Sequence, residues 1–204
     1  MKIITVSREF GSGGRELGKR LAEYLGFDYY DSEIIFSVAN NSGLDADYTE
    51  KLLEDHGWKN IPITFRGTLG SSAYMQSGKI KLLLEQKKVI ENIAAMGHDF
   101  VIVGRNADVL LSEYDPFKLF VCADTQAKLK RCKERADEKE MLSDKELLRQ
   151  MKEIDKARAR TRELLTGADW GAREHYHLVL NTSGLKIKKM IPTVADFAKL
   201  WFER

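Results

Sequence analysis

The first hydrophobic run of the chain, Ile3, Ile4 and Val6, breaks at Ser7-Arg8-Glu9-Phe10-Gly11-Ser12-Gly13-Gly14, and a helical repeat takes over behind it. Over 15–25, Leu17, Leu21, Ala22, Tyr24 and Leu25 fall on one helical face, the spacing needed to lie against a sheet, and Gly26 ends the helix. Phe27-Asp28-Tyr29-Tyr30 predicts a short strand, and Asp31-Ser32 a helix start leading into 33–40. A turn at Asn40-Asn41-Ser42-Gly43, a charged helix over 45–58 and a loop over 60–72 precede a long helix over 74–96, with Leu82, Leu83, Val89, Ile93 and Ala94 as its buried positions. Phe100-Val101-Ile102-Val103 is too short for a helix and is bounded by glycines, so it predicts a strand buried on both faces. A second such strand falls at 118–123 and a last one at 177–180. Polar helices are expected over 125–140 and 144–165, and a closing helix over 186–202 whose apolar stripe is Ile187, Ile191, Val194, Phe197 and Trp201. Strands alternating with helices in this way predict a three-layer α/β fold with a mainly parallel sheet and ligands at the carboxyl ends of its strands.

Length and composition narrow the class of protein. The 204 residues suffice for one domain with a core, and 43% hydrophobic with 31% charged residues is an ordinary globular balance. With 33 basic and 31 acidic residues the net charge is +2, so no global field argues for a nucleic acid or a membrane as partner. No apolar stretch approaches the roughly 20 residues that span a bilayer, and no basic segment with an apolar signal core opens the sequence. A cytoplasmic protein acting on a small molecule is expected. Cys122 and Cys132 lack metal-ligand spacing, which predicts two reduced thiols and no metal site built from side chains.

Chemistry concentrates at strand ends. Residues 8–15 have the layout of a phosphate-binding loop, in which glycines turn the backbone tightly and the next helix adds its positive N-terminus. Aligned on Gly11-Ser12-Gly13, the signature G-x-x-x-x-G-K-[ST] finds Arg8 for its first glycine, Gly14 for its lysine and Arg15 for its Ser/Thr. Arg15 or Arg8 could return the missing charge, and Glu16 falls where a phosphate or a magnesium ion is expected. After the strand at 100–103, Gly104-Arg105-Asn106 would present a planar donor fork to the ligand crevice. In Lys156-Ala157-Arg158-Ala159-Arg160-Thr161-Arg162, Arg158 and Arg162 share a helical face while Arg160 points elsewhere. Without interleaved aromatics this run does not read as a nucleic-acid surface, but arginines near a glycine loop can clamp a transferring phosphoryl group. Large apolar residues are scarce over 152–162, so little is expected to hold the segment 140–171 to the core until phosphates supply counter-charge.

Taken in order, Ile-Thr-Val-Ser-Arg-Glu-Phe-Gly-Ser-Gly-Gly-Arg-Glu-Leu, Tyr-Tyr-Asp-Ser-Glu, Val-Gly-Arg-Asn-Ala, Phe-Lys-Leu-Phe-Val-Cys-Ala and Leu-Asn-Thr-Ser-Gly-Leu resemble the cytidylate kinase-like family, a branch of the P-loop nucleoside monophosphate kinases, over nearly the whole chain. The resemblance implies a P-loop NTPase fold in a single domain, with a helical substrate-side region at 41–97 and an arginine-bearing lid at 140–171 that closes over ATP. It implies phosphoryl transfer from ATP, with magnesium bridging the phosphates, to a nucleoside monophosphate or other small phosphate acceptor. Gly11, Ser12, Gly13, Gly14 and Arg15, lined by Arg8 and Glu16, would bind the nucleotide phosphates. Asp31, Ser32, Arg105 and Asn106 would bind substrate, and Arg158 and Arg162 would meet the transition-state charge alongside Arg15 and Arg105. The sequence departs from the kinase pattern in several places: Gly14 replaces the loop lysine, Val103-Gly104-Arg105-Asn106 replaces Asp-Gly-Arg-Asp, Ser37 replaces an arginine after Asp31-Ser32, and Asn181 replaces an aspartate. A nucleotide-binding regulatory protein that kept the fold and lost catalysis is the alternative these departures raise.

Overall fold

The computed structural model describes residues 1–31, 76–136 and 142–204. Five strands, β1 (Ile3–Arg8), β2 (Asp28–Asp31), β3 (Phe100–Val103), β4 (Phe117–Cys122) and β5 (Leu178–Asn181), form one sheet in the order β2-β3-β1-β4-β5. Every pairing is parallel. The helices are α1 (Gly14–Leu25), α2 (Gln76–Ala95), α3 (Ala107–Leu110), α4 (Thr125–Lys133), α5 (Asp144–Thr166) and α6 (Ile187–Phe202). No described helix is long and apolar enough to cross a membrane.

Both faces of the sheet are covered, which is why β3 is apolar without alternation and why even the polar Thr5 and Ser7 of β1 are buried. On one face Ile4, Val6, Val101, Val103, Leu119 and Val121 pack against Leu17 and Leu21 of α1 and Ile187, Ile191 and Val194 of α6. On the other, Ile3, Phe100 and Ile102 meet Val89, Ile90 and Ile93 of α2, with Ala107 and Leu111 beside them. A third cluster, Phe10, Leu129, Cys132, Leu147 and Met151, joins the loop after β1 to α4 and α5. In the sheet register Val6 stands opposite both Val103 and Leu119, and Asp31 opposite Val103. The carboxyl ends of β1, β2 and β3 therefore open on one edge.

The strands and long helices lie where the hydrophobic pattern puts them, with local corrections. Tyr24 is 53% exposed, on the outside of α1 beneath the Lys199 ammonium, because its position on the helical wheel is at the edge of the buried stripe. The helix expected over 125–140 ends at Lys133, while α3 and the short 3-10 turns Ser112–Tyr114 and Arg173–His175 were not expected. Four residues are too few to show a period. The elements expected over 33–40, 45–58 and 60–72 lie outside the described residues. Cys122 and Cys132 are free thiols, and burial raises both above the ordinary thiol range.

His177 closes the far edge of the sheet. Its Nδ1 accepts a hydrogen bond from the Lys118 amide (3.0 Å) and its ring stacks on Trp201, centroid to centroid 3.5 Å. Burial, then Lys118 and Arg204, lowers its pKa from 6.5 despite Asp115. Below that value the unfolded chain binds a proton that the folded chain resists, so stability should fall as pH drops below 6.5. In urea denaturation at pH 7.5 and 5.5, the stability gap between the protein and His177→Gln is expected to narrow at the lower pH. A gap independent of pH would contradict this.

Candidate functional site

The loop after β1 is shaped by contacts made with its carbonyls and side chains. Glu9 extends the sheet by donating from its amide to the Val121 carbonyl (3.0 Å), and its Oε2 accepts from the Ala123 amide (3.2 Å) and Lys128 Nζ (3.0 Å). Phe10 turns into the third apolar cluster and its amide donates to Asp155 Oδ1 (2.8 Å). Gly11 and Gly13 then take left-handed conformations, φ +74° and +83°, that a side chain would strain. Arg131 Nη1 donates to the Gly11 carbonyl (2.7 Å) and Thr182 Oγ1 to the Ser12 carbonyl (2.6 Å). With the carbonyls tied to α4 and the segment after β5, the first intrahelical donor of α1 is Leu17, bonded to the Gly13 carbonyl (2.9 Å). The amides of Gly14, Arg15 and Glu16 precede it at the helix N-terminus, a position that attracts anions.

Three arginines meet at this edge. Arg8 ends β1, Arg105 follows β3, and Arg158 comes from the middle of α5. Burial, then Arg158 and Arg105, lowers Arg8 to about 9, with Tyr29 and Asp31 acting the other way. Burial and Arg158 lower Arg105, partly offset by Asp31. Burial lowers Arg158, opposed by Asp155 and Glu9. Positive charge is thus held here at a cost that an incoming anion would reduce. Arg158 Nη1 donates both to the Arg8 carbonyl (3.0 Å) and to Asp155 Oδ1 (2.8 Å), so Asp155 fixes the loop and the arginine together.

Arg105 sits in an unusual stretch of backbone. Gly104, Arg105 and Asn106 have φ of +85°, +57° and +51°, and Asn106 then caps α3. Left-handed side-chain-bearing residues each cost about 1–2 kcal/mol, and such strain gathers at binding and catalytic sites. The Ala107 amide closes the turn on the Gly104 carbonyl (3.2 Å).

The remaining candidates are placed differently. Arg15 turns to the end of β2, where its Nε bonds Asp31 Oδ2 (2.7 Å), and the Tyr29 hydroxyl lies 3.4 Å from the same oxygen. Burial and Asp31 raise Tyr29 far above its ordinary value, leaving it a neutral donor. Glu16 is bonded by Arg20 Nε (2.8 Å) and by Arg135. Arg162 is buried, with Nη1 2.6 Å from Asp108 Oδ2. Asn181 holds the turn after β5, its Oδ1 accepting from the Ser183 amide (2.9 Å) and hydroxyl (2.7 Å). Ser32 and Ser37 lie outside the described residues.

The weak attachment expected for 140–171 overlooks polar anchors. Ser143 and Glu146 cap α5 reciprocally, Leu147 and Met151 pack on Phe10, and Asp155, Arg158 and Arg162 each bond a partner in the loop, within α5 or on α3. Asp155 and Asp108, which hold Arg158 and Arg162, were not singled out in the sequence. The single hint for Asp155 is its i, i+3 spacing from Arg158, and a carboxylate in a charged helix looks like surface.

The sequence pattern of the cytidylate kinase-like family matches residues 3–184. The chain belongs to this family. No curated protein matches it. Among solved structures, an uncharacterized protein from Eubacterium ventriosum ATCC 27560 is similar over 98% of this chain and 99% of its own, with TM-score 0.70 and 23% identity. Shikimate kinases share the fold more distantly: that of Bacteroides thetaiotaomicron at TM-score 0.55 and 14% identity, covering 100% of this chain and 99% of its own, and that of Acinetobacter baumannii, solved with shikimate, at 0.54 and 12%, covering 98% and 94%. The cytidylate kinase-like chain thus has the P-loop kinase fold, and its glycine loop and arginines occupy the carboxyl edge of the sheet.

Proposed function

We propose that the protein transfers the γ-phosphoryl group of ATP to a nucleoside monophosphate or another small phosphate-bearing acceptor. The observation that carries this reading is the convergence of Arg8, Arg105 and Arg158 on a glycine loop at a helix N-terminus. Left-handed glycines, helix-end amides and guanidinium groups are donors, the complement of a polyphosphate, so the residues present fit the nucleotide. The amides of Gly14, Arg15 and Glu16 would hold phosphate oxygens. Arg105, with Asn106 and Asp31 beside it, would face the acceptor, and Arg158 the charge that develops during transfer. Magnesium, carried on the phosphate oxygens, would supply further charge neutralisation. An acceptor that is already an ionised phosphate requires no general base. Arg162, which sequence reasoning put beside Arg158, acts in this account through its pair with Asp108, as a positioning residue for α5.

A nucleotide-binding regulator remains the second reading, favoured by the glycine at position 14. Both readings require triphosphate binding. ATP with magnesium at a hundredfold excess over its dissociation constant is expected to stabilise the fold by about 2.7 kcal/mol. The thermal midpoint checks this, and no shift with any nucleoside triphosphate would contradict both readings.

A further inference from the structure

The replacement of a loop lysine by glycine has a steric explanation in the course of Arg8. A Cβ built on Gly14 would lie 2.5 Å from Arg8 Cβ, 3.1 Å from Arg8 Cγ and 3.2 Å from Val121 Cβ. These are atoms next to backbone, not the ends of flexible side chains, so no rotamer change relieves the overlap. A lysine at 14 and a side chain on this path at 8 exclude each other, beginning at their Cβ atoms. Further along, a Cβ on Gly104 would fall on the guanidinium of Arg8, 2.7 Å from its Cζ, and Gly104 also has φ +85°. Arg8 therefore runs across two glycines, one at the head of α1 and one at the end of β3. Its carbonyl is held by Arg158, while the other arginine of the sequence alternative, Arg15, is engaged with Asp31 at the end of β2.

We infer that the phosphate-facing cation of this loop is Arg8, delivered from the strand end rather than from the helix, and that Gly14 and Gly104 are kept side-chain-free to let it pass. The inference rests on the kinase reading for its ligand, and it makes Gly14 the steric partner of Arg8 instead of a mark of lost function. The guanidinium lies within electrostatic reach of Arg158, Arg105, Tyr29 and Asp31. Its planar fork can give two parallel hydrogen bonds to a phosphate where a lysine gives a point charge.

Four proteins test this: wild type, Arg8→Ala, Gly14→Lys, and the double variant Arg8→Gly with Gly14→Lys. Binding of ATP with magnesium is measured by calorimetry, with the thermal midpoint read in parallel. Arg8→Ala is expected to weaken ATP about tenfold to a hundredfold, the range for a hydrogen-bonded charged group. Gly14→Lys alone should lose thermal stability and ATP binding. The double variant should regain both, since glycine at 8 removes the Cβ that a Cβ at 14 would meet at 2.5 Å and the lysine restores the charge. ATP binding unaltered by Arg8→Ala would overturn the inference and leave the kinase reading standing. A double variant as unstable as Gly14→Lys would overturn the steric pairing. Wild-type protein that binds no triphosphate would remove the kinase reading, and the role of Arg8 with it.

Discussion

Asp108→Ala is expected to lower stability by about 3–5 kcal/mol, the cost of leaving one member of a buried ion pair without its partner. Asp108 is 2% exposed and Arg162 4%, and 2.6 Å separates the bonded atoms, so water cannot replace the lost carboxylate without opening the packing between α3 and α5. Removing both charges should be milder, because a buried pair replaced by apolar groups is often neutral in stability. Urea denaturation of Asp108→Ala, Arg162→Met and the double variant measures the difference. A loss below about 1 kcal/mol for Asp108→Ala, the scale of an exposed pair, would show that water reaches this pair in solution. The consequence extends to the site, because Arg158 lies one turn before Arg162 on α5 and follows any shift of the helix.

Arg158→Ala is expected to reduce kcat by about 10³-fold or more, within the range for an arginine that stabilises phosphoryl transfer, while KM for ATP changes little. The arginine is held by Asp155 (2.8 Å) and by the Arg8 carbonyl (3.0 Å), so it is positioned before ligand arrives. That preorganisation favours an effect on the transition state over one on ground-state binding. Arg158→Lys keeps the charge and loses the fork, and should recover only part of the rate. A rise in KM with kcat preserved would place Arg158 in nucleotide binding instead.

Much of the sheet was legible because a parallel strand covered on both faces leaves short apolar runs such as Phe100-Val101-Ile102-Val103, and the order of strands and helices does the rest. Candidate residues were legible where they end a strand or lie just after one, as Arg8 and Arg105 do. Helical spacing placed Arg162 on a face with Arg158 but did not show its partner: four residues advance about 6 Å along a helix, and there the guanidinium pairs with Asp108 of α3. Asp108 gave no signal, and Asp155 only its spacing from Arg158, because their other partners are distant in sequence, 54 residues for the Arg162 bond and 145 for the Phe10 amide. Gly14 read as a missing lysine because a pattern records which residue is absent and not which side chain fills its space.

Transfer of the γ-phosphoryl group to an acceptor tests the central claim most directly. Purified protein is incubated with ATP, magnesium and each member of a panel of nucleoside monophosphates and other small phosphate acceptors, and phosphorylated product is measured for wild type and Arg158→Ala. The account predicts product with at least one acceptor and its near-complete loss in the variant. Tight ATP binding with no product from any acceptor would contradict it, and would make this chain a nucleotide-binding protein that does not transfer phosphate.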